Sequence, residues 1–180
     1  RETESLSLPV IHDHHERTLV APAIIAGVGV HTGRRVRLAV RPAAAGTGIV
    51  FVRTDVTDRD NRIVVSGEAV IDARLNTMIE NGAGVRLSTI EHLMAAFAAL
   101  GVSNAVVEVD GPELPILDGS ALEFVKLLDR AGFRPQPTPQ RYIEILETVH
   151  VVEGDKHAAL LPCDRYELRS EIDFPSAVTG

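Results

Sequence analysis

The chain has 180 residues, a formal net charge of −7 at pH 7 and an apolar fraction of 45%. A chain of this length can bury about 70% of its unfolded surface, and its charged fraction of 24% is ordinary, so a disordered chain is excluded. The acidic balance, the aromatic content of 4% and the absence of Trp argue against nucleic acid as a partner.

The N-terminal residues 1–16 are polar and contain the cluster His12-Asp13-His14-His15-Glu16. We expect a mobile terminus here, because the cluster lies outside any periodic apolar segment; stray metal affinity is the alternative. From residue 17 onward the pattern is typical of β-strands. Apolar and basic residues alternate over residues 35–41, which predicts a half-buried strand with a solvated arginine face. Further strands are predicted over residues 19–25, 48–53, 63–65, 69–72 and 85–87.

The apolar period then changes to that of a helix. Ser88-Thr89-Ile90-Glu91 has the form of a capping box, with Ser88 as the N-cap, and Gly101 marks the end of the helix. Because residues 93–102 carry no charge, we expect a helix that is covered on both sides, with His92 facing a covered interface or cleft. The apolar stripe on the face opposite His92 consists of Ile90, Leu93, Met94 and Phe97.

Glu91 and His92 are the residues of this helix that could carry chemistry. The capping box and the helix dipole alone would explain Glu91. Beside a metal bound by His92, its carboxylate could instead take a proton from an activated water. His92 is either a hydrogen-bonded core histidine or a metal ligand. A catalytic zinc needs three protein ligands, so this pair of residues leaves both interpretations open.

A strand over residues 105–110 is followed by a rigid loop and a second helix. The loop contains two Asp-Gly pairs and two prolines, and we interpret it as a structural connection. A second capping box, from Ser120 to Glu123, opens a helix that ends at Gly132. Later strands are predicted over residues 142–146, 149–152, 157–161 and 166–174, and they weakly repeat the opening pattern of the chain.

This organisation predicts an α+β fold in which a β-sheet packs against a helix pair. The domain prediction has four parts: a mobile N-terminus over residues 1–16, a first α+β lobe over 17–135, a Pro-rich linker over 136–140, and the opening strands of a second, incomplete lobe over 141–180.

Neither a membrane span nor a signal peptide is expected from the sequence. The apolar runs fall short of the roughly 18 residues of a span, and the charged residues 1–4 are not followed by an apolar signal segment. Cys163 is the only cysteine, so an internal disulfide is excluded and a reducing cytoplasm is the expected compartment.

Several segments occur together in one characteristic order. They include Gly27-Val28-Gly29-Val30-His31-Thr32-Gly33, Ser88-Thr89-Ile90-Glu91-His92-Leu93, Pro115-Ile116-Leu117-Asp118-Gly119-Ser120 and Glu153-Gly154-Asp155-Lys156. With these segments, the chain resembles the zinc-dependent UDP-3-O-acyl-N-acetylglucosamine deacetylases of lipid A biosynthesis over most of its length. The resemblance implies two α+β lobes whose helices are sandwiched between the sheets, so that the second lobe is incomplete here.

The resemblance also implies a set of site residues. It makes His92 a zinc ligand and Glu91 the general base that activates zinc-bound water for hydrolysis of an acetamide. The implied substrate-binding residues are Lys156, then Asp173 and Phe174 in a uridine pocket, and His31 and Leu75 at the rim of the active site.

The remaining zinc ligands and a general-acid histidine of the family are expected after residue 180. The chain would thus supply the N-terminal part of a cytoplasmic hydrolase whose substrate is a UDP-linked acylated glucosamine, with the missing C-terminal lobe as a partner. Asn76 departs from the family pattern, in which many members carry Cys. Two alternatives stay open: a non-catalytic, divergent or truncated relative that acts as a binding or regulatory domain, and a purely structural α+β domain.

Overall fold

The computed structural model describes residues 15–165 and 167–171. The chain divides into two compact units, Arg1–Gln140 and Arg141–Gly180. In the first unit, eight strands precede the first α-helix, and one strand separates the two α-helices. This order confirms the α+β class. In chain order the strands of the first unit are β1 (His15–Leu19), β2 (Ala23–Val28), β3 (Arg35–Pro42), β4 (Ile49–Arg53), β5 (Arg62–Val64), β6 (Val70–Asp72), β7 (Met78–Glu80), β8 (Arg86–Leu87), β9 (Ala105–Val109) and β10 (Phe133–Pro139). The helices are α1 (Glu91–Leu100) and α2 (Leu122–Ala131).

A five-stranded sheet in the order β2-β3-β9-β4-β5 forms the main layer of the first unit. Its strands pair antiparallel, except that β4 and β9 run parallel. One face of the sheet and one side of each helix enclose a single apolar core, as the sheet-and-helix-pair prediction requires. Large, fully buried members of this core are Leu38, Phe51, Ile63, Leu93, Phe97, Phe124 and Leu128.

The strand predicted over residues 19–25 is two strands. β1 ends at Leu19 and β2 begins at Ala23. Between them, the backbone N–H groups of Val20 and Ala21 donate to the carbonyls of Gly132 and Ala131 at the end of α2. Pro22 lies in the break and has no N–H to offer a ladder. The alternating prediction for β3 is confirmed: Val36, Leu38 and Val40 are buried, whereas its arginines are exposed.

The predicted Pro-rich linker is a strand for most of its length. Residues 136–139 belong to β10, which pairs antiparallel with β1. Proline cannot donate to a ladder, but it is tolerated in a two-stranded ribbon such as this one, where alternate positions face away from the partner. The same pairing corrects the N-terminus: His15 and Glu16 are part of β1, while residues 1–14 lie outside the described part.

A buried polar network ties this ribbon to the main sheet. The Asn104 side-chain amide donates to the Glu16 carboxylate and to the Gln136 carbonyl oxygen, both at 2.8 Å. The backbone N–H of Gly46 donates to the same Glu16 oxygen at 2.7 Å. Buried polar groups need such partners, which explains why Glu16 is ordered although its sequence neighbours are polar.

Neither predicted capping box forms in full, although the Ser120 hydroxyl accepts from the backbone N–H of Leu122 at 3.1 Å. Helix α1 begins at Glu91 after Ile90, and α2 begins at Leu122 after Ala121. The backbone of Ser88 forms a β-bridge with Glu113, and its hydroxyl donates to the Pro112 carbonyl at 3.3 Å rather than capping α1. Within the described residues, no helix is long and apolar enough to cross a membrane.

One side of α1 is buried and the opposite side is not. Leu93 and Phe97 of the predicted stripe are in the core together with Ala96, whereas Ala95, Ala98 and Ala99 are exposed. The expectation of a helix covered on both sides is therefore wrong for the described part of the chain. The reason is that the main sheet and α2 reach α1 from the buried side only.

The second unit contains a hairpin of β11 (Val149–Glu153) and β12 (Lys156–Leu160). Gly154 turns the chain with a φ of 62°, in the left-handed region that favours glycine. These strands confirm the predictions at 149–152 and 157–161. The strand predicted over 142–146 is absent, and residues 167–171 form no strand; Tyr166 and residues 172–174 lie outside the described part.

Candidate active site

The start of α1 is held by the loop that precedes α2. The backbone N–H of Ser88 donates to the Pro112 carbonyl, and the N–H of Leu114 donates to the Ser88 carbonyl, each at 3.0 Å. These two hydrogen bonds fix the position of the segment that leads into Glu91 and His92, the first two residues of α1. Both residues are half-buried in its first turn.

Thr89 lies between Ser88 and the helix and has an unusual backbone. Its φ of 61° is in the left-handed region, which a β-branched residue rarely adopts. Such a conformation costs on the order of 1–3 kcal/mol and persists only when the surroundings enforce it. The strain sits two residues before Glu91, in the segment that positions the candidate catalytic pair.

A second loop, which belongs to a small sheet, also contacts the start of α1. The three strands β6, β7 and β8 pair antiparallel, and the loop between β6 and β7 contains Leu75, Asn76 and Thr77. The backbone N–H of Thr77 donates to the Glu91 carboxylate at 3.1 Å. The Asn76 side-chain amide donates to the Thr89 hydroxyl at 3.3 Å. Leu75 itself is 86% exposed and projects from the loop.

A third loop, between β2 and β3, reaches the site through Glu113. This carboxylate is 1% exposed and accepts hydrogen bonds from the backbone N–H groups of His31 at 2.9 Å and Thr32 at 2.8 Å. It also accepts from the Thr89 hydroxyl at 3.2 Å. Burial acts to raise the pKa of Glu113, but the hydrogen bonds from His31, Thr32 and Thr89 outweigh it and the pKa is lowered. Glu113 is therefore a buried anion held by hydrogen bonds from His31, Thr32 and Thr89.

Gly29 makes room for that carboxylate. A Cβ at this position would lie 2.3 Å from a Glu113 carboxylate oxygen and 2.6 Å from the Thr32 hydroxyl oxygen. Neither distance is possible for real atoms, and both neighbours are held in place by hydrogen bonds. The glycine of the Gly-Val-His-Thr segment is thus required by the close approach of a buried side chain.

The residues in this region fit part of a metal site. His92 offers an imidazole beside a carboxylate, the donor types that zinc takes in catalytic sites. Within residues 15–165 and 167–171, however, no group of three His, Cys, Asp or Glu side chains could hold a metal ion. The described part of the chain therefore holds no complete set of zinc ligands.

A family model matches residues 16–180, and its description is LpxC: UDP-3-O-acyl N-acetylglycosamine deacetylase. The chain belongs to this family. Several curated deacetylases are similar to it over most of its length. UDP-3-O-acyl-N-acetylglucosamine deacetylase of Phenylobacterium zucineum is 64% identical over 165 residues, covering 92% of this chain and 56% of the relative. The deacetylases of the same name from Myxococcus xanthus and Actinobacillus succinogenes are 47% and 46% identical, covering 92% and 88% of this chain and 52% of each relative.

The chain spans about half the length of the curated deacetylases it matches. The family assignment confirms the resemblance found in the sequence. The activity in their names is that of the whole relatives.

The structure brings four of the predicted site residues into one region. Glu91 and His92 begin α1, the Leu75 loop contacts Glu91 through Thr77, and the His31 loop is joined to the start of α1 through Glu113. Lys156 is the exposed first residue of β12 in the second unit, and Asp173 and Phe174 lie outside the described residues.

Glu113 is the residue that the sequence reasoning missed. The sequence analysis interprets the loop that contains Glu113 as a structural connection and gives the charge of Glu113 no role. A usable signal is present, because Glu113 lies between Pro112 and the apolar run Leu114-Pro115-Ile116-Leu117. An acid in such a setting is buried only when hydrogen-bond donors surround it.

Proposed function

We propose that the full-length protein removes acetate from a UDP-3-O-acyl-N-acetylglucosamine by zinc-dependent amide hydrolysis. The observation that carries the proposal is the half-buried Glu91-His92 pair, whose carboxylate is fixed by the Thr77 N–H where three loops meet. Family membership supports the same reaction, because the curated relatives are named as deacetylases of this substrate.

Glu91 is the general base in this proposal. Its carboxylate takes a proton from the attacking water, and a base held within hydrogen-bonding reach of its substrate contributes about 10²–10⁴-fold to a rate. The Thr77 hydrogen bond keeps the carboxylate in one orientation, which reduces the motion that must be lost when water and substrate bind. The capping box does not form at Glu91, which leaves the helix dipole as the structural alternative to a catalytic role.

His92 is the zinc ligand that the described residues provide. The remaining protein ligands are expected after residue 180, since a catalytic zinc takes three. When bound, zinc supplies Lewis-acid polarisation of the amide carbonyl and makes water more acidic. This chain's own contribution is to hold the imidazole of His92 on the first turn of α1, next to the base.

The proposed substrate-binding residues are those that the family resemblance implies. His31 and Leu75 line the rim, and their exposure leaves them free to meet a ligand. Lys156 contacts the substrate, while Asp173 and Phe174 form the uridine pocket. We also propose a cytoplasmic location, on the ground that the single Cys163 suits a reducing compartment.

Acetate release by the full-length protein tests the proposal. The zinc-loaded protein, incubated with UDP-3-O-acyl-N-acetylglucosamine, should release one acetate per free amine formed. A chelator should abolish release, and added zinc should restore it. Binding of the nucleotide sugar without acetate release, in protein that contains zinc, would overturn the proposal and favour the binding-domain alternative.

A further inference from the structure

We propose that Glu113 is a positioning residue, whose carboxylate locks the His31 loop onto the start of α1 and so sets the substrate rim relative to the Glu91-His92 pair. The inference rests on the proposed function and extends it to a residue that does not touch the reacting atoms. It assigns a task to a buried carboxylate that neither zinc binding nor proton transfer uses.

The contacts of Glu113 join two separate loops. One carboxylate oxygen accepts from the His31 N–H at 2.9 Å and from the Thr89 hydroxyl at 3.2 Å. The other accepts from the Thr32 N–H at 2.8 Å. Two donors therefore belong to the rim loop and the third belongs to the strained residue that leads into α1. A displacement of either loop breaks at least one of these hydrogen bonds.

The backbone on both sides of Glu113 is also fixed. The backbones of Pro112 and Leu114 are hydrogen-bonded to the backbone of Ser88, so Glu113 is held next to the segment that leads into α1. On the other side, the loop runs against β2, where the N–H of Ile116 donates to the Val28 carbonyl at 3.0 Å. The backbone that carries Glu113 is thus fixed on both sides, and its carboxylate contacts the His31 loop from that fixed position.

These donors are all satisfied when both terminal atoms of the side chain at position 113 are acceptors. Glutamine has the same shape, but one of its two terminal groups is an N–H donor. Placed here, its carbonyl can serve His31 and Thr89, and its NH₂ then faces the Thr32 N–H. The Thr32 N–H then faces a donor in place of its acceptor, so the loop is expected to move.

The test compares Glu113→Gln with Glu16→Gln in the full-length, zinc-loaded protein. Glu16 is the matched control, because it is a buried carboxylate of the same unit that accepts one backbone N–H and one side-chain N–H, from Gly46 and Asn104. Three quantities are measured: hydrogen exchange of the His31 and Thr32 amides, zinc content, and kcat/KM for acetate release.

We expect Glu113→Gln to speed exchange of both amides at least about tenfold and to lower kcat/KM by about 10-fold to 100-fold, with zinc content unchanged. Glu16→Gln should leave the exchange of these amides and kcat/KM near the wild-type values. Unchanged exchange in Glu113→Gln, unchanged kcat/KM, or an equal loss of kcat/KM in Glu16→Gln would each overturn the inference.

A second pair of variants serves if Glu113→Gln does not fold. Thr89→Val removes the hydroxyl donor and Thr89→Ser keeps it; only the valine variant should lower kcat/KM, by several-fold. Equal rates in the two variants would contradict the proposed link to α1. Wild-type protein that holds zinc and releases no acetate would overturn the proposed function instead, and the exchange comparison would then decide the loop placement by itself.

Discussion

The backbone N–H of Thr77 donates to the carboxylate of Glu91 at 3.1 Å, which joins the loop after β6 to the first residue of α1. The donor is a backbone group next to a paired strand, so its position is fixed by the β6-β7-β8 sheet. A base that accepts from a fixed donor is held in one orientation without the help of substrate. This arrangement gives Glu91 a task other than capping its own helix.

Gly29→Ala should destabilise the protein by about 1–3 kcal/mol, because the added methyl group meets the Glu113 carboxylate and the Thr32 hydroxyl. Denaturant unfolding of both proteins measures the difference. Gly82→Ala is the control, since a Cβ at Gly82 meets nothing within 4 Å. Equal stability of the Gly29 and Gly82 variants would show that the close approach to Glu113 does not exist in solution.

The pH dependence of stability should report the buried Glu113 anion. Its pKa is lowered in the folded state, so ionised Glu113 stabilises the fold above its unfolded pKa of about 4.3. That contribution is lost as the pH falls through the lower folded pKa. The difference in unfolding free energy between wild type and Glu113→Gln should therefore shrink on acidification below about pH 5. A difference that stays constant from pH 7 to acid would contradict the assignment.

His92→Ala should remove zinc from the full-length protein, because the ligand set loses one of the three protein ligands that a catalytic zinc needs. Metal analysis of the purified variant measures this directly. His31→Ala serves as the control, since we place His31 at the substrate rim, and it should keep its zinc while raising KM. Stoichiometric zinc in the His92→Ala variant would contradict the assignment of His92 as a zinc ligand.

Much of the fold follows from local pattern. The alternation in β3 and the apolar stripe of α1 predict which side chains are buried, because the periods of strand and helix differ. The end of α2 at Gly132 is predicted as well. The ribbon of β1 and β10 is missed, since its strands are distant in sequence and three prolines in β10 resemble a linker.

The start of α1 was predicted wrongly for a related reason. Ser88 and Glu91 have the spacing of a capping box, but each is engaged by a residue from elsewhere in the chain. Sequence patterns report contacts between near neighbours, whereas this site is assembled from loops that are far apart in sequence. The Glu91-His92 pair is a prediction from sequence, because its residue types and order are visible without the fold.

The most direct test of the account is acetate release by full-length Glu91→Gln, measured beside its zinc content. Glutamine keeps an oxygen for the Thr77 N–H but cannot take a proton, so kcat should fall by about 10²–10⁴-fold while zinc stays bound. Glu123→Gln, which changes an exposed acid that pairs with Lys126 in the first turn of α2, should keep wild-type kcat. Glu91→Gln with near wild-type kcat and full zinc would contradict the account.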